Sequence, residues 1–165
     1  MTLDQFISIN NLQPADALVV KKEPFRLLDH YIIYLGKDWN RHIFIANYTK
    51  GTRIIPDHEL AEFSTQFSPH RIVRFQGNSL QRNAAVNRAL SRKDQSSYHL
   101  ILNNCEHYSN YVQKGVSESN QTQTFGKSLV MAGLITAGST KKQEIQAAGI
   151  LAATFGLLTL LFDQE

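Results

Sequence analysis

Cys105 is the only cysteine of the chain, and it stands in Asn103-Asn104-Cys105-Glu106-His107-Tyr108, where an apolar run from Leu100 to Leu102 hands over to a helical pattern. A thiol in that place has the setting of a nucleophile. The first turn of a helix carries unpaired N–H groups and a partial positive charge, which favour a thiolate and can hold a developing oxyanion. Asn104 is a natural N-cap, Glu106 suits the first turn, and Gly115 is a natural stop after Lys114. The alternative is a buried structural cysteine, since free cysteines are among the most buried residues.

A thiol nucleophile needs a base, and His30 can supply one. It opens His30-Tyr31-Ile32-Ile33-Tyr34-Leu35-Gly36, a stretch rich in β-branched and aromatic residues that reads as a strand. A second strand is expected from His42 to Tyr48, joined to the first by a hairpin over Lys37 to Arg41. A rigid sheet would hold the imidazole at the strand start, facing a thiol on a neighbouring helix. A lone strand histidine with a purely structural role is the competing reading.

These blocks, Asp29-His30-Tyr31-Ile32-Ile33-Tyr34-Leu35-Gly36 and Asn104-Cys105-Glu106-His107-Tyr108 with Gly115 beyond, resemble the lecithin:retinol acyltransferase family. That family pairs a histidine opening a strand that ends in Tyr-hydrophobe-Gly with an Asn-Cys-Glu-His-Phe block opening a helix. Leu12-Gln13-Pro14-Ala15-Asp16-Ala17-Leu18-Val19-Val20 is similar to the family's leading strand, which carries a Pro-Gly-Asp turn. The resemblance covers roughly residues 12 to 117, and Tyr108 stands in place of the usual Phe.

The resemblance implies a circularly permuted papain-like fold, related to the NlpC-type superfamily, and acyl transfer through a thioester. Cys105 would attack a carboxylic ester, His30 would act as base and then acid, and a third polar residue would fix the imidazole tautomer. Two residues are candidates for that third place. His42 follows His30 at a spacing seen in the family, but a hairpin folded about Trp39 sets it opposite Gly36, roughly 20 Å from His30 along the strand. Asn47 then falls near the His30 end and can orient an imidazole as in Cys-His-Asn arrangements, so Asn47 is preferred. The implied substrate is a phospholipid, with water, an alcohol or an amine accepting the acyl group.

The 165 residues, 42% hydrophobic and 19% charged, suit one compact core with something attached. The expected organisation is a catalytic domain over 1–117, a polar linker over 118–127 and a hydrophobic region over 128–165. A single reactive thiol is best preserved in a reducing compartment, which places the domain in the cytosol. The first residues show no basic and apolar signal-peptide pattern.

Ile145 to Phe162 runs for eighteen residues without a charge. As a helix it would be about 27 Å long, close to a hydrocarbon core of roughly 30 Å. Lys141 and Lys142 precede it and Asp163 and Glu165 follow, so the positive-inside rule predicts a C-terminal membrane anchor with the domain on the cytosolic side. Small residues at four-residue spacing, Gly149 with Ala153 and Ala152 with Gly156, would allow close packing and homo-oligomers through this helix. The alternative is a helix buried against the domain. Ser128 to Thr140 is also uncharged but shorter, which suits an interfacial segment or one arm of a helical hairpin.

Phe63 to Lys93 contains no acidic residue, while Arg71, Arg74, Arg82, Arg88, Arg92 and Lys93 are cationic, which reads as a solvated face or a surface for anionic lipid. With a net charge of only +3 and no recognisable motif, nucleic-acid binding is not expected. No metal is expected either, because Cys105, His107 and His99 match no common zinc spacing. No cofactor is called for. The fold class is α+β, an antiparallel sheet with packed helices and a hydrophobic C-terminal segment. Two other functions stay open, an NlpC-like cysteine amidase or peptidase and a non-catalytic membrane-associated module.

Overall fold

A computed structural model describes residues 2–21, 29–60, 71–95 and 104–163. The run Leu100 to Leu102, together with Arg26, His70, Tyr98 and His99, lies outside the described residues. Helix α1 (Leu3–Ile9) comes first and was not expected from the sequence. Thr2 and Gln5 close it with a reciprocal capping box, and it buries Phe6 and Ile7.

The strands are β1 (Ala17–Lys21), β2 (Asp29–Asp38), β3 (Arg41–Tyr48), β4 (Gly51–Ile54) and β5 (Arg71–Val73). They form one sheet in the order β4-β3-β2-β1-β5, and every pairing is antiparallel. Alternation along the strands builds two apolar layers. Leu18, Ile32, Tyr34, Phe44 and Ala46 pack with Phe6 and Ile7 of α1 on one face. Ala17, Val19, Tyr31, Ile33 and Ile45 pack on the other with Ala85, Ala89, Cys105, Tyr108 and Val112.

Those last five residues lie on α2 (Ser79–Ser91) and α3 (Cys105–Lys114). The fold is therefore α+β, a sheet with helices on it, as the sequence implied. Two details depart from expectation. A register shift between Tyr34 and Gly36 moves His42 from Gly36 to a place opposite Lys37. The turn before β1 holds Ala15 at φ +70, the left-handed region, at the position where the resembled family has glycine.

The cationic run is tied to the fold at several points, while Arg71, Arg74, Arg92 and Lys93 stay exposed. Arg74 and Arg82 pair with the buried Asp16 at 2.9 and 3.2 Å. Arg71 donates to the Tyr31 hydroxyl at 3.0 Å, Arg92 lies over the Tyr111 ring, and Lys93 pairs with Asp94. Arg88 donates to the carbonyls of Tyr111 and Val112 in the last turn of α3, where the Tyr111 carbonyl also accepts the Gly115 N–H.

Helices α4 (Asn120–Ser139) and α5 (Gln143–Phe162) follow. The expected linker at 118–127 is mostly the first turns of α4. The segment Ser128 to Thr140 continues that helix, and the two helices pack antiparallel along their length. Close approach requires glycine: a Cβ on Gly133 would lie 2.5 Å from the backbone of Gly149 and Ala153, and one on Gly156 2.7 Å from the Gly126 carbonyl. Large apolar side chains cover the outside of the pair, among them Met131, Ile135, Leu151, Phe155 and Phe162. Of the described helices, α5 alone is long and apolar enough to cross a membrane. Lys141 and Lys142 sit at the turn between the helices. Asp163, expected beyond the far end of a span, is instead buried beside α3.

Candidate active site

Cys105 is the first residue of α3, and the sequence around it explains the helix start. Asn104 is the N-cap, and its side-chain oxygen accepts the N–H groups of Glu106 at 2.9 Å and His107 at 3.2 Å. His107 returns the bond, its Nδ1 accepting the Asn104 N–H at 3.2 Å. Gly115 ends the helix at φ +84, its N–H on the Tyr111 carbonyl. Cap, first turn and stop all fall where the sequence placed them.

The thiol is buried and meets the strand that carries His30. Cys105 Sγ lies 3.2 Å from the carbonyl oxygen of Asp29, the carbonyl of the peptide bond into His30. His30 is buried, with its ring 5.0 Å from the ring of Tyr48. Burial pushes the Tyr48 phenol up to about 12. Asn47 comes to the same end of the sheet. It is buried, its oxygen accepts the Thr52 hydroxyl at 3.2 Å, and its amide N–H points to the Asn104 carbonyl at 3.5 Å.

His42 lies elsewhere. Its Nδ1 is 2.8 Å from the Tyr34 hydroxyl and its Nε2 is 2.9 Å from Asp4 of α1, on the sheet face away from α3. The structure thus gathers Cys105, Asn47 and the backbone at the start of the His30 strand. His30 itself pairs across the sheet with Val20 and its side chain lies by Tyr48, both of the α1-side layer, and His42 stays at the turn end of β3.

Glu106 and His107 brace the cysteine helix. The buried Glu106 carboxylate accepts the Tyr31 hydroxyl at 3.0 Å, the Ser119 hydroxyl at 2.7 Å and the Gln121 N–H at 2.8 Å. Burial, reinforced by Glu106, raises the Tyr31 phenol well above its usual range, so it stays a donor. His107 Nε2 is 2.6 Å from Asp163. Burial lowers the His107 pKa, against the bond and charge of Asp163. Among the described residues no group of three potential metal ligands comes together.

Sequence reasoning missed Tyr31, Ser119 and Asp163. Only Tyr31, at alternate spacing to the core residue Ile33, carried a local signal that it faces the helix. The protein-family model described as lecithin retinol acyltransferase matches residues 10–118. The chain belongs to the lecithin retinol acyltransferase family. The match runs from the end of α1 through the cysteine helix, and spans both blocks that carried the resemblance. No curated protein matches the chain closely enough to count. Membership of the lecithin retinol acyltransferase family brings a general association with acyl transfer and phospholipase-like activity.

Proposed function

We propose that the chain is a thiol-dependent lipid acyltransferase or phospholipase A-type hydrolase that works at a membrane. The observation carrying this reading is the placement of Cys105, on the first turn of a doubly capped helix with its sulfur 3.2 Å from the peptide bond that leads into His30. His30 takes the thiol proton, and the thiolate attacks the ester carbonyl of a phospholipid. As the carbon–sulfur bond forms and the carbon–oxygen bond breaks, the imidazolium returns the proton to the leaving alkoxide. In the second half, water, an alcohol or an amine gives its proton to His30 and attacks the thioester; the carbon–sulfur bond breaks and the imidazolium returns the proton to the Cys105 thiolate.

The N–H groups of Glu106 and His107 are bonded to the Asn104 side chain, so they are not offered to an oxyanion. Asn47 takes the third polar position in this proposal, supported by its place beside Asn104. The α4–α5 pair serves as the membrane element of a two-part chain, and its apolar exterior supports that role. The domain is assigned to the cytosolic side because a free thiol survives there. The lysine pair does not support this, since Lys141 and Lys142 lie at the turn between α4 and α5 while Asp163 ends α5 beside the domain.

Incubation with phospholipid vesicles, followed by intact mass and hydroxylamine treatment, tests the reading. A hydroxylamine-sensitive acyl adduct on the native chain and none on Cys105→Ala is the expected result. Absence of both adduct and released fatty acid would overturn it, in favour of peptide hydrolysis or a non-catalytic role.

A further inference from the structure

Asp163 is the residue that ends α5, and its side chain has no solvent exposure. A carboxylate is buried at such cost only when it is fully engaged. Its Oδ1 lies 2.6 Å from His107 Nε2 and its Oδ2 accepts the Ser119 N–H at 3.4 Å. The other nitrogen of the ring, Nδ1, accepts the N–H of Asn104. A backbone amide can only donate, so Nδ1 carries no proton and Nε2–H must donate to Asp163. The ring is held at both ends, and one of those ends is the residue before Cys105.

We propose that Asp163 is a positioning residue for Cys105, acting through His107 and the Asn104 backbone, so that docked α5 belongs to the catalytic unit. The proposal rests on the reading of Cys105 as nucleophile. Without Asp163 the His107 ring can turn and release the Asn104 N–H. Asn104 also provides the carbonyl for the first helical bond, from the Tyr108 N–H at 3.1 Å, and both side-chain caps of α3. A shift there moves the thiol relative to the His30 strand. Asp163 lies beyond the residues matched by the family model, so this link is a property of the chain's own C-terminal part.

The test uses the full chain in phospholipid vesicles. Asp163→Ala should lower kcat about 10- to 100-fold, the scale of a misplacement near 1 Å, while KM changes less than about twofold. It should also change the rate at which iodoacetamide alkylates Cys105. Asp163→Asn should recover part of both losses, because its amide oxygen still accepts the Nε2 proton while its NH2 cannot accept the Ser119 N–H. A fall in melting temperature alone, with kcat and alkylation rate at native values, would overturn the proposal, as would an Asn variant as impaired as the Ala variant.

A measurement on the native chain stands even where the Ala variant does not fold. Nitrogen-15 shifts of His107 must report a proton on Nε2 and none on Nδ1, and the reverse tautomer would overturn the link. If Cys105→Ala retains turnover, the nucleophile reading fails. Alkylation of native and Asp163→Ala chains then still decides whether Asp163 governs the thiol.

Discussion

Asn47 points its amide N–H at the carbonyl of Asn104, 3.5 Å away, so β3 meets the cysteine helix at the residue preceding Cys105. The other polar candidate on that strand, His42, is hydrogen-bonded to Tyr34 and Asp4 beside α1. Removing the two side chains should therefore have unequal consequences. Asn47→Ala is expected to slow fatty-acid release from phospholipid by about 10- to 100-fold. His42→Ala should change it by less than about threefold, within the range of an altered peripheral hydrogen bond. A larger loss for His42 would reverse the assignment.

Asp16 is expected to dominate the stability of the turn before β1. Its carboxylate accepts Arg74, Arg82, the Phe75 N–H and the Gln13 N–H while remaining 1% exposed. Arg82 also donates to the Pro14 carbonyl. Breaking one side of a buried pair costs about 3–5 kcal/mol. The Arg74 side chain is 40% exposed and can turn to water, whereas that of Arg82 is only 18% exposed. Asp16→Ala should therefore fall near the lower end, about 3 kcal/mol, read from the shift of a urea unfolding midpoint.

The glycine contacts between α4 and α5 give a third expectation. Gly133→Ala would place a methyl 2.5 Å from the backbone of the facing helix, and backbone cannot move aside as a side chain can. Overpacking of this kind costs about 1–3 kcal/mol. Amide exchange should quicken across Gly149 to Gly156, while β1 to β3 keep native protection. Unchanged exchange in α5 would mean that the two helices do not pack this closely in solution.

Stability should also depend on pH through His107. Burial pushes its pKa below the ordinary 6.5, with Asp163 opposing. The unfolded chain therefore binds more protons at this histidine around and below that pH, and stability rises as pH rises through the window. Acidifying from about pH 8 to about pH 5.5 should lower the urea midpoint, and His107→Gln should flatten that slope. A variant with the native slope would show that His107 does not titrate differently in the folded state.

The cysteine helix was legible because its ends are local. Asn104, the first-turn acid and Gly115 act within a few residues of where they stand, and β2 and β3 announced themselves by β-branched and aromatic runs. Helix α1 was harder, since seven residues offer two buried side chains and little periodicity. The place of His42 depended on one irregularity near Leu35 that alternation alone does not reveal. The 118–127 stretch looked like a linker because it is polar, yet Ser119 and Thr122 are buried. Their hydroxyls take the Asn104 amide at 3.4 and 3.2 Å instead of water. Asp163 reads in sequence as a charge after an apolar run. Its partner is 56 residues away, and no local pattern carries that contact.

Trp39, the one tryptophan of the chain, stands at the β2–β3 turn in a left-handed conformation with 95% of its surface exposed. Its emission will be that of indole in water whether the sheet is folded or not, so unfolding is better followed by circular dichroism. The same exposure makes it a one-point optical reporter. A blue shift on adding vesicles would register contact of that sheet end with lipid, without a label.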